Sequence, residues 1–407
     1  MSSLEIFENI DLNSQSWIQN PPTLYAKLHK RGPYFDGTKW LVARHAHVAA
    51  VLKSQAISKR IAVNTLGGTL ENFLIFQDPP DHTRLRSVIQ EFFSPRAIQQ
   101  EEDMVAQVVV GLIRRVKERR RMEFIGDIAS HLPSQIIGNL LGVPEESNLF
   151  LYEFAHNYFY DDTTNKSEAI NALRLYFTNM VSKPYQVRPT SLLTRLMDAQ
   201  LEGKISRAEL IELCVLLFIG GSETMINLLG SGLLTLLQHP EALGLIQNNP
   251  ALIPGAVEEM LRYEPPILTS TWRVTTEPLV LGDTEIPVGQ PVEALLGAAN
   301  RDPDKFPDPN RFDILRNPVG HFAFGAGIHF CIGAALTRME AKVTLATLLA
   351  ELPTLQLEKN KSMPYWQKVG NMGRRFLTLP VNENKSKNHQ WRENAITHGL
   401  EYLNLTW

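Results

Sequence analysis

The stretch His321-Phe-Ala-Phe-Gly-Ala-Gly-Ile-His-Phe-Cys331-Ile-Gly333 decides how the rest of this chain is read. A lone cysteine stands at the mouth of a predicted helix that begins near Ile332, where Leu336, Met339 and Val343 recur at helical spacing. A helix N-terminus stabilises a thiolate through its dipole and its unpaired N–H groups. Gly325 and Gly327, just ahead of the cysteine, let the backbone approach a flat ligand and turn its amides toward the sulfur. An isolated cysteine at such a turn is usually a buried apolar residue, so the loop has two physical readings.

Length and composition narrow the setting. A chain of 407 residues gives a soft prior of two or three domains and can bury a large core. Hydrophobic residues at 44% and charged residues at 20% exclude wholesale disorder. A formal net charge of −3 supplies no broad basic field, which argues against nucleic-acid binding. With only Cys214 and Cys331 there is no disulfide scaffold and no multi-cysteine zinc or iron–sulfur site, as in a reducing, cytoplasmic compartment. The opening MSSLEIFENIDLNSQSW has no basic region before an apolar run, so no signal peptide is expected. The most apolar stretch, LCVLLFIGG at 213–221, is well short of the ~20 residues of a membrane span, so no membrane association is expected.

Periodicity favours a mainly α fold with small β-sheets (α+β), a single large helical domain with a smaller β-rich part. Tyr34-Phe35 and Trp40-Leu41-Val42 flank Asp36-Gly37 and predict a hairpin. Helical spacing dominates from His45 to about Leu261, a second β-rich patch runs from Ile267 to Asn300 with turns at Gly282-Asp283 and Gly289, and Pro303 to Pro318 is irregular. The expected division is a domain over 1–381 and a tail over 382–407, in which a polar tether precedes Ile396, Leu400 and Leu403 at i, i+4 and i+7. So short an amphipathic piece needs a surface, and docking on its own domain is the favoured reading.

The cysteine stretch fills every fixed position of Phe-Gly-x-Gly-x-His-x-Cys-x-Gly, and a single thiolate so held suits axial ligation of haem iron, pushing electron density toward O–O cleavage. On these residues the chain resembles the cytochrome P-450 family of haem-thiolate monooxygenases, in its soluble bacterial form, over about residues 10 to 381. The resemblance implies haem b, with Cys331 as the proximal iron (metal) ligand, Phe324 shielding the sulfur, Gly325 and Gly333 framing it and His329 reaching a propionate.

Other constellations gain meaning beside it. Gly220-Gly221-Ser222-Glu223-Thr224 lies in an otherwise apolar helix, where each glycine costs ~1 kcal/mol against alanine. Such a choice signals close packing or a functional opening. The stretch looks like the family's distal helix, which implies that Thr224 hydrogen-bonds dioxygen over the haem and Glu223 feeds protons. Met225 follows where a second threonine is frequent, a change that shapes the pocket. Haem carries two propionates, and anions in a dry site need cations. His82 and Arg86, four apart on one helical face, and Arg273 in the β-rich patch match the family's propionate contacts, although each alone reads as a surface charge. Glu259-Met-Leu-Arg262 resembles the family's Glu-x-x-Arg, with Arg311 as the implied third partner of a structural network.

Three functions follow for comparison. The leading one is a monooxygenase that uses O2 and two electrons to hydroxylate or epoxidise an apolar small molecule, in specialised metabolism. Only 26 residues follow position 381, so electrons are expected from NAD(P)H through a separate ferredoxin or flavodoxin with its reductase. A peroxide-driven enzyme and a non-turnover haem sensor are the alternatives, and the pair Glu223-Thr224 speaks against both. The basic run IRRVKERRR at 113–121 reads as a solvated helix end, and Cys214 as a buried apolar residue. The aromatic group Tyr152, Phe154, Tyr158, Phe159 and Tyr160 reads equally as core or as substrate-pocket roof. Pocket walls are expected from 61–76, 152–185, 216–219, 267–271 and 368–372; terpenoid, polyketide, fatty acyl and carrier-bound amino-acid substrates all stay open.

Overall fold

The computed structural model describes residues 21–65, 70–160, 163–183, 187–271, 273–358, 364–368, 374–378, 399–400 and 402–407. The N-terminal stretch, the expected polar tether with Ile396 beyond it (within 379–398) and parts of the expected pocket walls (66–69, 161–162, 184–185 and 369–372) lie outside these residues.

One helix organises the core. Arg207–Leu237 runs 31 residues without a break through Gly220 and Gly221. Its start is a capping box: Ser206 Oγ accepts from Glu209 N–H, and the Glu209 carboxylate accepts from Ser206 N–H at 2.7 Å. It stops before His239-Pro240, because proline disfavours helix in the preceding residue. By length and composition this helix could cross a membrane, but 78% of its apolar window is buried among the other helices. A helix that is apolar all round is a core helix when it is surrounded by protein.

Small residues set how closely its neighbours approach. A Cβ on Gly221 would lie 3.2 Å from Ile137, and one on Gly232 would lie 2.9 Å from Met260 Sδ. Gly220, in contrast, faces open space. The glycine pair therefore divides, with close packing at Gly221 and open space at Gly220.

The expected hairpin forms, β1 (Tyr34–Phe35) against β2 (Trp40–Val42), with Asp36 Oδ1 accepting from Thr38 and Lys39 N–H across the turn. It joins β3 (Ile57–Ser58), β5 (Arg273–Thr275) and β8 (Pro291–Ala294) in a five-stranded sheet of order β1-β2-β8-β5-β3. Between β5 and β8, β6 (Leu279–Leu281) and β7 (Thr284–Ile286) form a separate hairpin turning at Gly282, φ 62°. The basic run ends the exposed side of the Glu102–Lys117 helix, and its last residue opens β4 (Arg121–Glu123), a strand hidden from periodicity by its charge.

The C-terminal residues correct one expectation. Leu400 and Leu403 do not continue a helix. Gly399–Leu400 is a strand paired with Arg374–Thr378, and Asn404–Thr406 pairs with β4 on one side and with Gln356–Leu357 on the other. Nine residues cannot sustain an isolated helix, whereas an existing sheet edge satisfies their backbone groups at once. Leu400, Leu403 and Leu405 are all buried, with Leu400 against Gly230 of the central helix. Truncating Leu405 to alanine should cost about 2–5 kcal/mol, read as a lowered melting temperature; an unchanged melt would show that this strand does not close the core.

Candidate functional site

The cysteine loop is shaped by its glycines. Gly325 (φ 67°) and Gly327 (φ 72°) hold left-handed backbone, and a Cβ at Gly327 would strike Leu52 O at 2.4 Å. The turn returns Cys331 N–H to Phe324 O at 3.0 Å, and Phe330 O accepts from Arg86 Nη2 at 2.7 Å. Cys331 is exposed at the loop surface, two residues before Gly333, which caps the Ala334–Glu351 helix. The dense protein around the sulfur raises the thiol pKa, while the Gly333 N–H and the charges of Arg86 and Arg338 pull it down.

A clamp fixes the loop from behind. Glu258 accepts from Arg338 Nε at 2.6 Å and Nη2 at 3.0 Å, and from His321 Nε2 at 3.0 Å. These partners hold the Glu258 carboxyl down to about 2 against the opposing effect of burial. The Arg338 guanidinium lies 4.5 Å from the Phe324 ring centroid, so the clamp sets the ring expected to shield the sulfur.

The expected anion-binding residues converge. His82 and Arg86 come from the Asp81–Ile89 helix, Arg273 from β5 and His329 from the cysteine loop, with the two imidazole centroids 4.4 Å apart. Burial, then the charges of Arg86 and Lys59, lowers the His82 pKa to about 4, and burial and the same charges push His329 down too. Lys59, which the sequence reading passed over because Ser-Lys-Arg looks like an exposed turn, joins them as a buried lysine.

On the central helix, Thr224 Oγ1 donates to Gly220 O at 2.9 Å, leaving its lone pairs as acceptors beside the Gly220 opening. Glu223 is buried and lies 3.3 Å from His156 Nδ1. His156 sits within the aromatic group of the Asn148–Tyr160 helix, where no charge pattern marks it out. In that helix Tyr152, Phe154 and Tyr158 pack on the core, and burial raises the Tyr158 phenol to about 12. Cys214 is fully buried and its thiol is pushed up.

The structural network differs in one member. Arg262, wholly buried, engages Glu259 at 2.8 Å twice and also donates to Asn300, Pro309 and Arg311 carbonyls, using all five of its N–H groups. Arg311 contributes that carbonyl, but its side chain is 67% exposed; Arg316 Nε reaches Glu259 at 3.2 Å instead. The turn after Asp308 aims Arg316 inward and Arg311 outward, which residue spacing alone does not reveal.

Comparison with known proteins establishes the family. Residues 146–372 match the family model described as Cytochrome P450. "Cytochrome P450 107B1" of Saccharopolyspora erythraea is 36% identical over 346 residues, 81% of this chain and 85% of the relative. The "Biotin biosynthesis cytochrome P450" of Bacillus subtilis is 34% identical over 364 residues, 84% and 92% of the two chains. A crystal structure of P450BioI with an acyl carrier protein ligated to hexadec-9Z-enoic acid superposes with a TM-score of 0.83 at 31% identity, covering 97% of this chain and all of the other. The chain thus belongs to the cytochrome P450 family. It is a haem-thiolate monooxygenase, an oxidoreductase that uses haem and dioxygen.

The residues present fit haem. Lys59, Arg86 and Arg273 surround His82 and His329, and His82 Nε2 is buried without a hydrogen-bond partner among the described residues. Such a patch suits the two carboxylates of the porphyrin edge. Arg316→Ala should cost about 1–3 kcal/mol, because it strips a buried carboxylate of one donor, whereas Arg311→Ala should stay within about 0.5 kcal/mol. Thermal unfolding of the two variants decides between these arginines, and equal effects would contradict the network drawn here.

Proposed function

We propose that Cys331 is the proximal iron ligand, that His82, Arg86, Arg273 and His329 hold the haem propionates, and that Glu223 and Thr224 manage protons on the distal side of a cytoplasmic enzyme. The observation that carries this reading is the Cys331 loop, with its two left-handed glycines and its Phe324–Arg338–Glu258 clamp. Haem, when bound, would supply activation of dioxygen with two electrons and two protons, one oxygen atom going to an apolar substrate and the other leaving as water. Gly325 supplies the left-handed turn, Gly333 leaves the space beside the sulfur clear, a Cβ there lying 3.8 Å from Cys331 Sγ, and Phe324 limits water there. Thr224 accepts and donates hydrogen bonds at the Gly220 opening. Glu223, buried and 3.3 Å from His156 Nδ1, feeds protons from solvent toward the distal side.

Electrons come from NAD(P)H through a ferredoxin or flavodoxin with its reductase. A cleft of about 780 Å3 lined by Arg86, Phe330, Cys331, Arg338 and Lys342 brings the molecular surface close to the cysteine loop, which supports approach of a small carrier there. The substrate is an apolar small molecule of specialised metabolism; the similarity to a biotin-biosynthesis enzyme and to an acyl-carrier-protein complex supports a long-chain acyl skeleton.

Replacing Cys331 by histidine should abolish the thiolate-type ferrous–CO spectrum while some haem is retained; an unchanged spectrum would remove Cys331 from the iron. Thr224→Ala should keep haem and that spectrum but divert reducing equivalents to hydrogen peroxide. The check is the ratio of product to NAD(P)H consumed with a surrogate ferredoxin system, and the same ratio in variant and parent would refute the proton-handling role.

A further inference from the structure

Lys59 is a buried lysine whose ammonium makes no ion pair among the described residues. It follows β3, and its own backbone N–H donates to Asp78 Oδ1 at 3.0 Å while the Ser58 hydroxyl takes Oδ2. Each oxygen of the nearby carboxylate thus already accepts one hydrogen bond from the turn, and no hydrogen bond or ion pair joins it to the Lys59 ammonium. The Lys59 side chain is 2% exposed, and its ammonium has no hydrogen-bond acceptor among the described residues; the Phe76 ring lies 5.9 Å away. The groups that face it are Arg273, His82 and His329 together with Asp78. Burial and the charge of Arg273 press its pKa well below the ordinary lysine value.

An ammonium taken out of water costs several kcal/mol unless an anion meets it, and a flexible four-carbon stem adds an ordering cost. A structural lysine would be expected on Asp78, or replaced by an apolar residue. Lys59 instead points its charge into a patch that already holds Arg273 and two imidazoles. An anionic partner in that patch would offset the cost of keeping the charge there.

We propose that Lys59 is a haem-propionate ligand, clamping the acid edge of the cofactor from the β3 side, across from the Asp81–Ile89 helix. The proposal rests on the haem reading of the Cys331 loop. Lys59 is a positioning residue: its ammonium neutralises a propionate, ties the β3 turn to the cofactor, and by its positive charge favours the ferrous over the ferric state.

The test uses the holoenzyme and three variants, Lys59→Met, Lys59→Gln and Lys59→Arg. Haem transfer to excess apomyoglobin should be about tenfold faster in Lys59→Met and Lys59→Gln, in line with a lost charge-assisted hydrogen bond, and near the parental rate in Lys59→Arg. The ferric/ferrous midpoint potential should move to more negative values in the two neutral variants and be restored by arginine. The ferrous–CO spectrum should remain thiolate-type throughout, which separates failure here from failure of the Cys331 assignment. Parental haem loss and potential in the neutral variants would overturn the proposal. So would parental haem loss together with weakened spectral binding of hexadecanoic acid, which would give Lys59 to a substrate carboxylate instead.

Discussion

Holding a thiolate against the end of a helix, at the border of an apolar core, is the constraint from which the arrangement of this protein follows. The sulfur needs donors and positive charge, but it also needs a wall against water. Two adjacent glutamates on the Ile253–Tyr263 helix serve these needs by facing different partners. Glu258 draws in Arg338 and His321, so that a guanidinium lies over Phe324 next to the cysteine turn. Glu259 turns the other way, onto Arg262 and Arg316, and its partner Arg262 ties down the carbonyls of Asn300, Pro309 and Arg311. Asn300 in turn receives Phe322 N–H at 2.6 Å, so the irregular proline-rich segment and the cysteine loop hang from one buried ion pair. Breaking such a pair by removing one member leaves an uncompensated charge and costs about 3–5 kcal/mol.

The second organising element is the continuous central helix. Its capping box and its close contacts at Gly221, Gly230 and Gly232 make it a rigid post. The departure at Gly220 is local, an open backbone position with Thr224 one turn above it and Glu223 facing His156. A wholly apolar helix would pack better there, and the glycine, hydroxyl and acid in its middle give up stability, the cost expected of the distal role proposed for them.

Much of this was legible in the residues because it is local. Turn chemistry at Asp36-Gly37 and Gly282 produced the hairpins, helical spacing produced the long helices, and the glycines around Cys331 took the left-handed backbone their placement called for. Misreadings arose where tertiary geometry overrides spacing. Arg311 and Arg316 are both plausible third partners in one dimension, and only the turn after Asp308 selects Arg316. Leu400 and Leu403 have helical spacing, yet strand edges left open at β4 and at Gln356–Leu357 offered the last residues a better place. Lys59 and His156 carried no signal because burial, which gives them significance, is not a property of a sequence neighbourhood.

The central claim is that the sulfur of Cys331, and not that of the fully buried Cys214, meets the haem iron. Resonance Raman spectroscopy of the ferric holoenzyme, grown with natural sulfur and with a heavy sulfur isotope, tests it directly. The account predicts an iron–sulfur stretching band that shifts with the isotope, persists in Cys214→Ala and vanishes in Cys331→Ser. A band that survives Cys331→Ser, or the absence of any isotope-sensitive band in the parent protein, would contradict it.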